Sequence, residues 1–537
     1  MRQISLRISR WFVQIMIGSV ASLWAVGEAR AIAKLRAALH HDSMLTLVWT
    51  SGSPPPLMVE RSSSFQDLVA LRGWLDDVSW SPVWVWRMLT ADVHPPLHPL
   101  LIHLLRVAGW SFQTSFLTVN LFACLLMILC MTVLAELDSR SVLLGVIGVI
   151  VVVASPAVLR TASEPRHWML ATSLSFLAVT SLAWLLCCSL RCESIGWRKS
   201  ACVAMPVAAL LLTESSMMIA IFAWCVVAFG TLLHHPSRKV LIGNSIRVGT
   251  LAIAIWLVTF PAALEQYARG AETDLDATFS TALLVPEFDS ERAQDYLRYL
   301  GDLWQMGGDN RVTLVLLWGT LAFLLSVQLS ILLVQVGAWS GWTRFDFRSV
   351  THAFVVGLVG STWTGMYFAL YTFGYLPDHA MGWKYILPHG TLLLVGIWDG
   401  VQRFPIRLIS GALVAFALTY HSITLSLASN SQAALVNRIA ASDRVVVLGN
   451  EFDLLQVMYP LAAGDFDEVP EVFFARPEAG LENWTCREVG VGGVFLAARR
   501  QPFAPGLDAL LPASNARTEV RIVGTLEWQE IGEVVSC

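Results

Sequence analysis

The sequence predicts a multi-span α-helical membrane protein with a small α/β or α+β domain at its C-terminal end. Three observations carry this. Of the 537 residues, 55% are hydrophobic and only 14% are charged, against about 25% charged in an average soluble chain. The apolar excess falls in blocks of about 20 residues, the length that crosses a bilayer as a helix. Beyond residue 427 the pattern changes to short β-like runs bounded by Asn, Gly and Pro.

Hydropathy gives about eleven spans, at 11–27, 114–135, 142–159, 168–188, 201–213, 215–233, 247–264, 312–335, 351–373, 386–399 and 406–425. The first follows Arg2, Arg7 and Arg10 and precedes "GEARA". That arrangement resembles a cleaved leader, but the many later spans favour an uncleaved first helix. The apolar stretch 97–110 is short for a span and reads as a helix lying at the membrane interface. Lys and Arg gather at the N-terminus and in "DSRS", "RCESIGWRKS", "HHPSRK", "TRFDFR" and "QRFPIR", all on one side in this count. The positive-inside rule makes that side cytoplasmic. The segments 28–113, 160–167, 265–311 and 374–385 then lie outside, together with the tail. The chain divides into a transmembrane domain, 1–427, and an extracytoplasmic domain, 428–537. A bacterial inner membrane is the expected location. In the tail, "RVVVLGN", "EVFFA", "GGVFLAARR" and "TEVRIVGTLEW" read as strands.

Composition excludes some functions. A net charge of −4 and the lack of a basic tract interleaved with aromatics give no sign of a nucleic-acid partner. Most of the nine cysteines lie in or beside apolar spans, with no C-x-x-C pair near histidines, so zinc is not indicated. Cys486 and Cys537 stand in the tail and have the option of pairing in an oxidising compartment. No repeat and no nucleotide-binding glycine fingerprint is evident.

The first outer loop is the most informative segment. It holds Trp74, Trp80, Trp84 and Trp86, the acids Glu60, Asp67, Asp76, Asp77 and Asp92, and ends in "TADVHPPLHPLLIHLLRVAGW". Pro suits a first helical turn and Asp92 suits a helix N-terminus. Helix initiation alone leaves unexplained why His94, His98 and His103 gather with that acid beside an apolar surface. Three further features stand in outer segments: "SEPRHW", with Glu164, Arg166 and Trp168; "GWKYILP", with Lys384 and Tyr385; and Glu214 in "LLLTESS". An acid at a membrane edge is costly against lipid, so Glu214 is expected to face a cavity or a partner. His167 reads as a surface neighbour of Arg166. The segment 265–311 carries acids and aromatics, with an amphipathic helix at "SERAQDYLRYLGDLW" that reads either as a lid over a site or as a solvated connection.

The Asp-x-His-Pro-Pro-Leu segment, the later Arg followed by an aromatic, the late Lys-Tyr pair and the soluble tail together resemble the GT-C superfamily of polytopic glycosyltransferases, in particular the protein mannosyltransferase-like and aminoarabinose transferase-like enzymes. The resemblance covers most of the chain in layout and three short motifs in residues. It departs from the family where Val59 stands in place of an Asp beside Glu60, where Asn120 lies near an expected Arg, and where Glu214 replaces a Lys or His. The resemblance implies transfer of a sugar from a polyprenyl phosphate to a glycan, lipid or protein acceptor at the outer face of a lipid bilayer. It implies a carboxylate base, Glu60 or Asp92, and a donor-phosphate site built from His94, Arg166, Lys384 and Tyr385. A divalent cation is compatible with the acid density, although no ligand spacing compels one. The alternatives from other classes are a transporter or flippase for lipid-linked glycans and a non-catalytic membrane assembly protein. A transporter predicts internal repeats and a polar path through the spans. An assembly protein leaves the Trp-rich acidic loop unexplained.

Overall fold

The computed structural model describes residues 41–57, 63–91, 96–138, 161–214, 217–232, 238–264, 288–302, 351–374, 383–401, 434–448, 451–463, 470–475, 495–499, 519–526 and 529–536, with a few single positions besides. The predicted spans 142–159, 312–335 and 406–425 and nearly all of 11–27 lie outside them. So do Glu60, Asp92, His94, Cys486 and Cys537.

The chain is mostly helical. The first-loop region forms α1 (His41–Thr50), β1 (Ser63–Gln66), α2 (Leu68–Asp76), α3 (Pro82–Ala91) and α4 (Leu97–Val107). The apolar region follows with α5 (Phe112–Leu137), α6 (Trp168–Leu190), α7 (Trp197–Leu211), α8 (Met218–Leu232), α9 (Arg238–Thr259), α10 (Ser290–Asp302), α11 (His352–Thr372) and α12 (Trp383–Val401). Among the described residues four helices, α5, α6, α9 and α11, are long and apolar enough to cross a membrane. Two of them present apolar stripes outward. Phe122, Leu125 and Leu129 on α5, and Ile242, Ile246 and Ile253 on α9, are exposed at helical spacing. Such stripes suit a lipid solvent, where no penalty attaches to exposed hydrocarbon. Helix α9 starts well before the predicted span 247–264, because Arg238, Lys239 and Arg247 are carried within the helix.

Close packing holds the apolar helices together. On α11 a methyl group added to Gly360 would lie 2.7 Å from the Leu392 backbone, and one added to Gly357 would overlap Gly396 Cα. Small residues at these positions let α11 and α12 approach backbone to backbone. Asp138, at the end of α5, caps α11. Its Oδ1 accepts from His352 N and its Oδ2 from Ala353 N, each at 2.8 Å, and Oδ1 also lies 2.8 Å from His352 Nδ1. The carboxylate thus satisfies first-turn N–H groups that lack intrahelical partners.

The tail forms β2 (Arg444–Leu448), α13 (Glu451–Ala463), β3 (Glu471–Ala475), β4 (Phe495–Arg499), β5 (Glu519–Leu526) and β6 (Gln529–Ser536). Its four predicted strands are all present, and β6 is added. One six-stranded sheet has the order β1-β3-β2-β4-β6-β5. Its centre, β3-β2-β4, is parallel; β1 on β3, β6 on β4 and β5 on β6 are antiparallel. The run Val445–Leu448 is buried, as a central parallel strand covered on both faces requires. The edge strand β1 comes from the first loop, with Ser63 opposite Ala475 and Gln66 opposite Val472. Helix α13 packs on α1 and α2, and Arg72 Nε donates to Ala462 O at 2.9 Å. The first loop and the tail are therefore one structural unit, joined by a shared ladder.

Candidate active site

Two short turns and one helix start build the site. The turn 161–167 leads into α6, and Asn120 of α5 fixes it. Asn120 Nδ2 donates to Ala162 O at 2.9 Å and to Glu164 O at 3.0 Å. Arg166 follows, 4% exposed, and His167 is the N-cap residue of α6. The second turn ends α7: Glu214 N donates to Leu210 O at 3.0 Å. That turn also receives α4, because Leu97 N donates to Leu212 O at 2.9 Å. The first turn of α4 is thereby brought to the start of α6.

Six side chains meet where these pieces converge. His167 Nε2 lies 2.7 Å from Glu214 Oε2, with both side chains mostly buried. His98 of α4 sets its ring edge-on to His167, centroids 6.3 Å apart. Trp168 packs against His167 at 4.5 Å and against Tyr385 of α12 at 4.6 Å. Tyr367 of α11 lies within electrostatic reach of both Tyr385 and Glu214. His98 is 1% exposed and its Nε2 has no hydrogen-bond partner among the described residues. Burial, with the neighbouring His167 adding to it, holds its pKa well below the usual imidazole value, so His98 is neutral near pH 7. The cluster thus offers an imidazole–carboxylate pair, a neutral imidazole and two aromatic faces at one end of the apolar helices, with the buried Arg166 next to His167 in the chain.

Of the residues singled out in the sequence, Tyr385 joins the cluster through Trp168, and the buried Arg166 adjoins His167 in the chain. Lys384 lies beside Tyr385 on the first turn of α12. Glu60, Asp92 and His94 lie outside the described residues. His167 is not a surface neighbour: Glu214 claims it, and Glu214 thereby finds the partner its position demands. His98 was legible only as one of several histidines in the loop.

Two other polar clusters have structural explanations. His103 Nδ1 lies 3.0 Å from Thr50 O, and its ring stacks on Trp80. Arg106 reaches Leu47 O, Thr50 Oγ1 and Leu75 O from its guanidinium tips, so one side chain ties α4 to α1 and α2. Burial brings its pKa down to about 10, with Tyr459 and Asp76 opposing. Around α10, Tyr296 is 1% exposed and donates to Thr364 O at 3.1 Å, with its ring parallel to that of His389. The amphipathic helix therefore docks on α11 and α12 through an apolar, aromatic face. Among the described residues no group of three or more His, Cys, Asp or Glu side chains could hold a metal ion.

No family model and no curated protein matches the sequence. Among solved structures the chain is similar to ArnT from Cupriavidus metallidurans bound to undecaprenyl phosphate, with TM-score 0.44 and 9% identity over 98% of each chain. It is similar also to ArnT from the same organism in the apo state, with TM-score 0.44 and 10% identity over 99% of this chain and 98% of the other.

Proposed function

We propose that this chain is an integral membrane glycosyltransferase that moves a sugar from a polyprenyl-phosphate donor to a glycan, lipid or protein acceptor. The observation that carries the reading is the convergence of His167, Glu214, Trp168 and Tyr385 at one end of the apolar helices, with the buried Arg166 next to His167 in the chain. The site abuts α4, which directly follows "DVHPPL". A donor with a long hydrocarbon chain explains why the site is built on membrane-length helices: the prenyl chain stays in lipid while the phosphate meets cations at the edge. Arg166 and Lys384 supply that charge, with His94 and Tyr385 as further phosphate or donor contacts. In the reaction, the acceptor hydroxyl oxygen forms a bond to the anomeric carbon. The bond from that carbon to the phosphate oxygen breaks, and its electron pair leaves with the phosphate. The hydroxyl proton passes to Glu60 or Asp92 as general base. Cations held close to the leaving phosphate stabilise the charge that develops on it, and the forked guanidinium of Arg166 matches that geometry. A single displacement inverts the anomeric centre. The tail, sharing its sheet with the first loop, lies on the same, extracytoplasmic side.

The test is sugar transfer from a panel of radiolabelled polyprenyl-phosphate sugars by purified protein in lipid, with envelope acceptors. Transfer is expected from at least one donor and is expected to vanish in Asp92→Asn or Glu60→Gln. No transfer from any donor by a folded sample, or full transfer in both variants, sinks the reading or its base assignment respectively.

A further inference from the structure

The pairing of His167 with Glu214 has no place in the roles assigned above. Glu214 is an acid next to a phosphate site, where a lone carboxylate would repel the donor. It does not stand alone, because its Oε2 meets His167 Nε2 at 2.7 Å. His167 adjoins Arg166 in sequence, and the turn that carries both is pinned by two hydrogen bonds from Asn120. On the other flank stands His98, fully buried, neutral, and with an Nε2 that no described residue engages. A second positive imidazole beside His167 is thereby excluded, so protonation of the pair is concentrated on one ring.

We propose that Glu214 is a positioning residue that keeps His167 in its imidazolium form, so that Arg166 and His167 present two adjacent cations to the donor's phosphate. The inference rests on the polyprenyl-phosphate reading and names which residues hold that phosphate. The physical reason is that a carboxylate 2.7 Å from an imidazole nitrogen favours the charged form of the ring. A charge-assisted bond to phosphate is about twice as strong as a neutral one. The titratable and charged groups around the pair are His98 from α4, Glu164 and Arg166 from its own turn, Tyr385 from α12 and Tyr367 from α11. Of these, Glu214 is the carboxylate in direct contact with His167. Without that carboxylate the charged form of the ring loses the partner that stabilises it.

The experiment measures binding of a tritiated polyprenyl monophosphate, carrying no sugar, to the full chain in nanodiscs of phosphatidylethanolamine and phosphatidylglycerol. Wild type, Glu214→Gln, Glu214→Asp, His167→Gln and His167→Lys are compared at about pH 5.5 and about pH 8, which bracket the imidazole range. Glutamine keeps the size of the side chain and loses only the charge. The ratio of wild-type to Glu214→Gln affinity is expected near one at the lower pH and roughly tenfold at the higher, the loss of one charge-assisted contact. The lipid phosphate titrates near pH 6, equally in every protein, and cancels in the ratio. Glu214→Asp is expected to recover most of the loss. His167→Lys, with a permanent cation, is expected to bind at the higher pH better than His167→Gln, a comparison that stands even if the Glu214 variants do not fold. A loss in Glu214→Gln of the same factor at both pH values, or His167→Lys no better than His167→Gln, overturns the inference and reduces the pair to a helix tie. Those results would coexist with normal sugar transfer by wild type. Absence of any lipid-phosphate binding by wild type would overturn this inference and the transferase reading together.

Discussion

Asn120 should matter to transfer although it touches neither reactant. It is 1% exposed on α5, and its amide nitrogen donates to two carbonyls of the turn that delivers Arg166 and His167. In Asn120→Asp the shape is kept and both donors are lost. Each carbonyl left without its donor costs about 1–3 kcal/mol. The turn is thus destabilised by roughly 2–6 kcal/mol, and protonating the new carboxyl recovers one of the two contacts at most. Because α6 and the sheet do not depend on these bonds, the global fold should survive with a lower melting point. The charged groups on the turn should lose their placement, and a misplacement of about 1 Å costs on the order of a hundredfold in rate. The assay is kcat/KM for sugar transfer in nanodiscs beside thermal unfolding followed by tryptophan fluorescence. A variant with an unchanged melting point and wild-type kcat/KM would refute the claim that Asn120 organises the site.

Other perturbations follow from the same packing. Tyr296→Ala removes a fully buried ring that docks α10 on α11 and α12 and should cost about 3–5 kcal/mol, read as faster proteolysis of the 265–311 segment; Tyr296→Phe, losing only the bond to Thr364 O, should cost about 1 kcal/mol. Gly360→Leu should prevent assembly of α11 on α12, since even a methyl group there meets the Leu392 backbone at 2.7 Å; retention of a wild-type melting curve would contradict the packing. Stability should also fall on acidification. His98 is held neutral in the folded state, whereas the unfolded chain takes up a proton as pH drops below about 6.5. The unfolded state then binds more protons, so this contribution is present above that pH and is lost below it, by up to about 1.4 kcal/mol per pH unit. His98→Gln should flatten that slope in a pH series of denaturation midpoints.

What the sequence revealed follows from which residues carry a local signal. The long apolar helices and the strands β2 to β5 announce themselves by run length and by β-branched residues, as in Arg-Val-Val-Val-Leu. Strand β1 does not: Ser-Ser-Phe-Gln has one strongly apolar residue, and its extended form comes from pairing with β3 rather than from propensity. Strand β6, with Gln529, Glu530, Gly532 and Glu533, was hidden for the same reason. In the site, Arg166 and Tyr385 were visible because they stand in two short motifs between predicted spans, "PRHW" and "WKY". Glu214 was visible as an acid in need of a partner. That the partner is His167 was not, since the packing of α6 on α7 brings together two residues far apart in the sequence.

The strand that sequence missed constrains topology more tightly than the count of spans did. A hydrogen-bonded ladder cannot be divided by a bilayer, because its N–H and C=O groups find no partners in hydrocarbon. Ser63 and Ala475 are ladder partners, so the chain between them crosses any membrane an even number of times. The hydropathy reading places ten of its spans, from 114–135 to 406–425, in that interval, and ten is even. An eleventh crossing hidden between β1 and β2, or one span too many in the count, would break the ladder. Cysteines introduced at Val69 on α2 and at Ile522 on β5, both exposed, test this directly with a membrane-impermeant maleimide on intact cells. We expect both sites to label without permeabilisation. Labelling of one site and protection of the other would show that the loop and the tail lie on opposite sides, and the shared sheet could not exist.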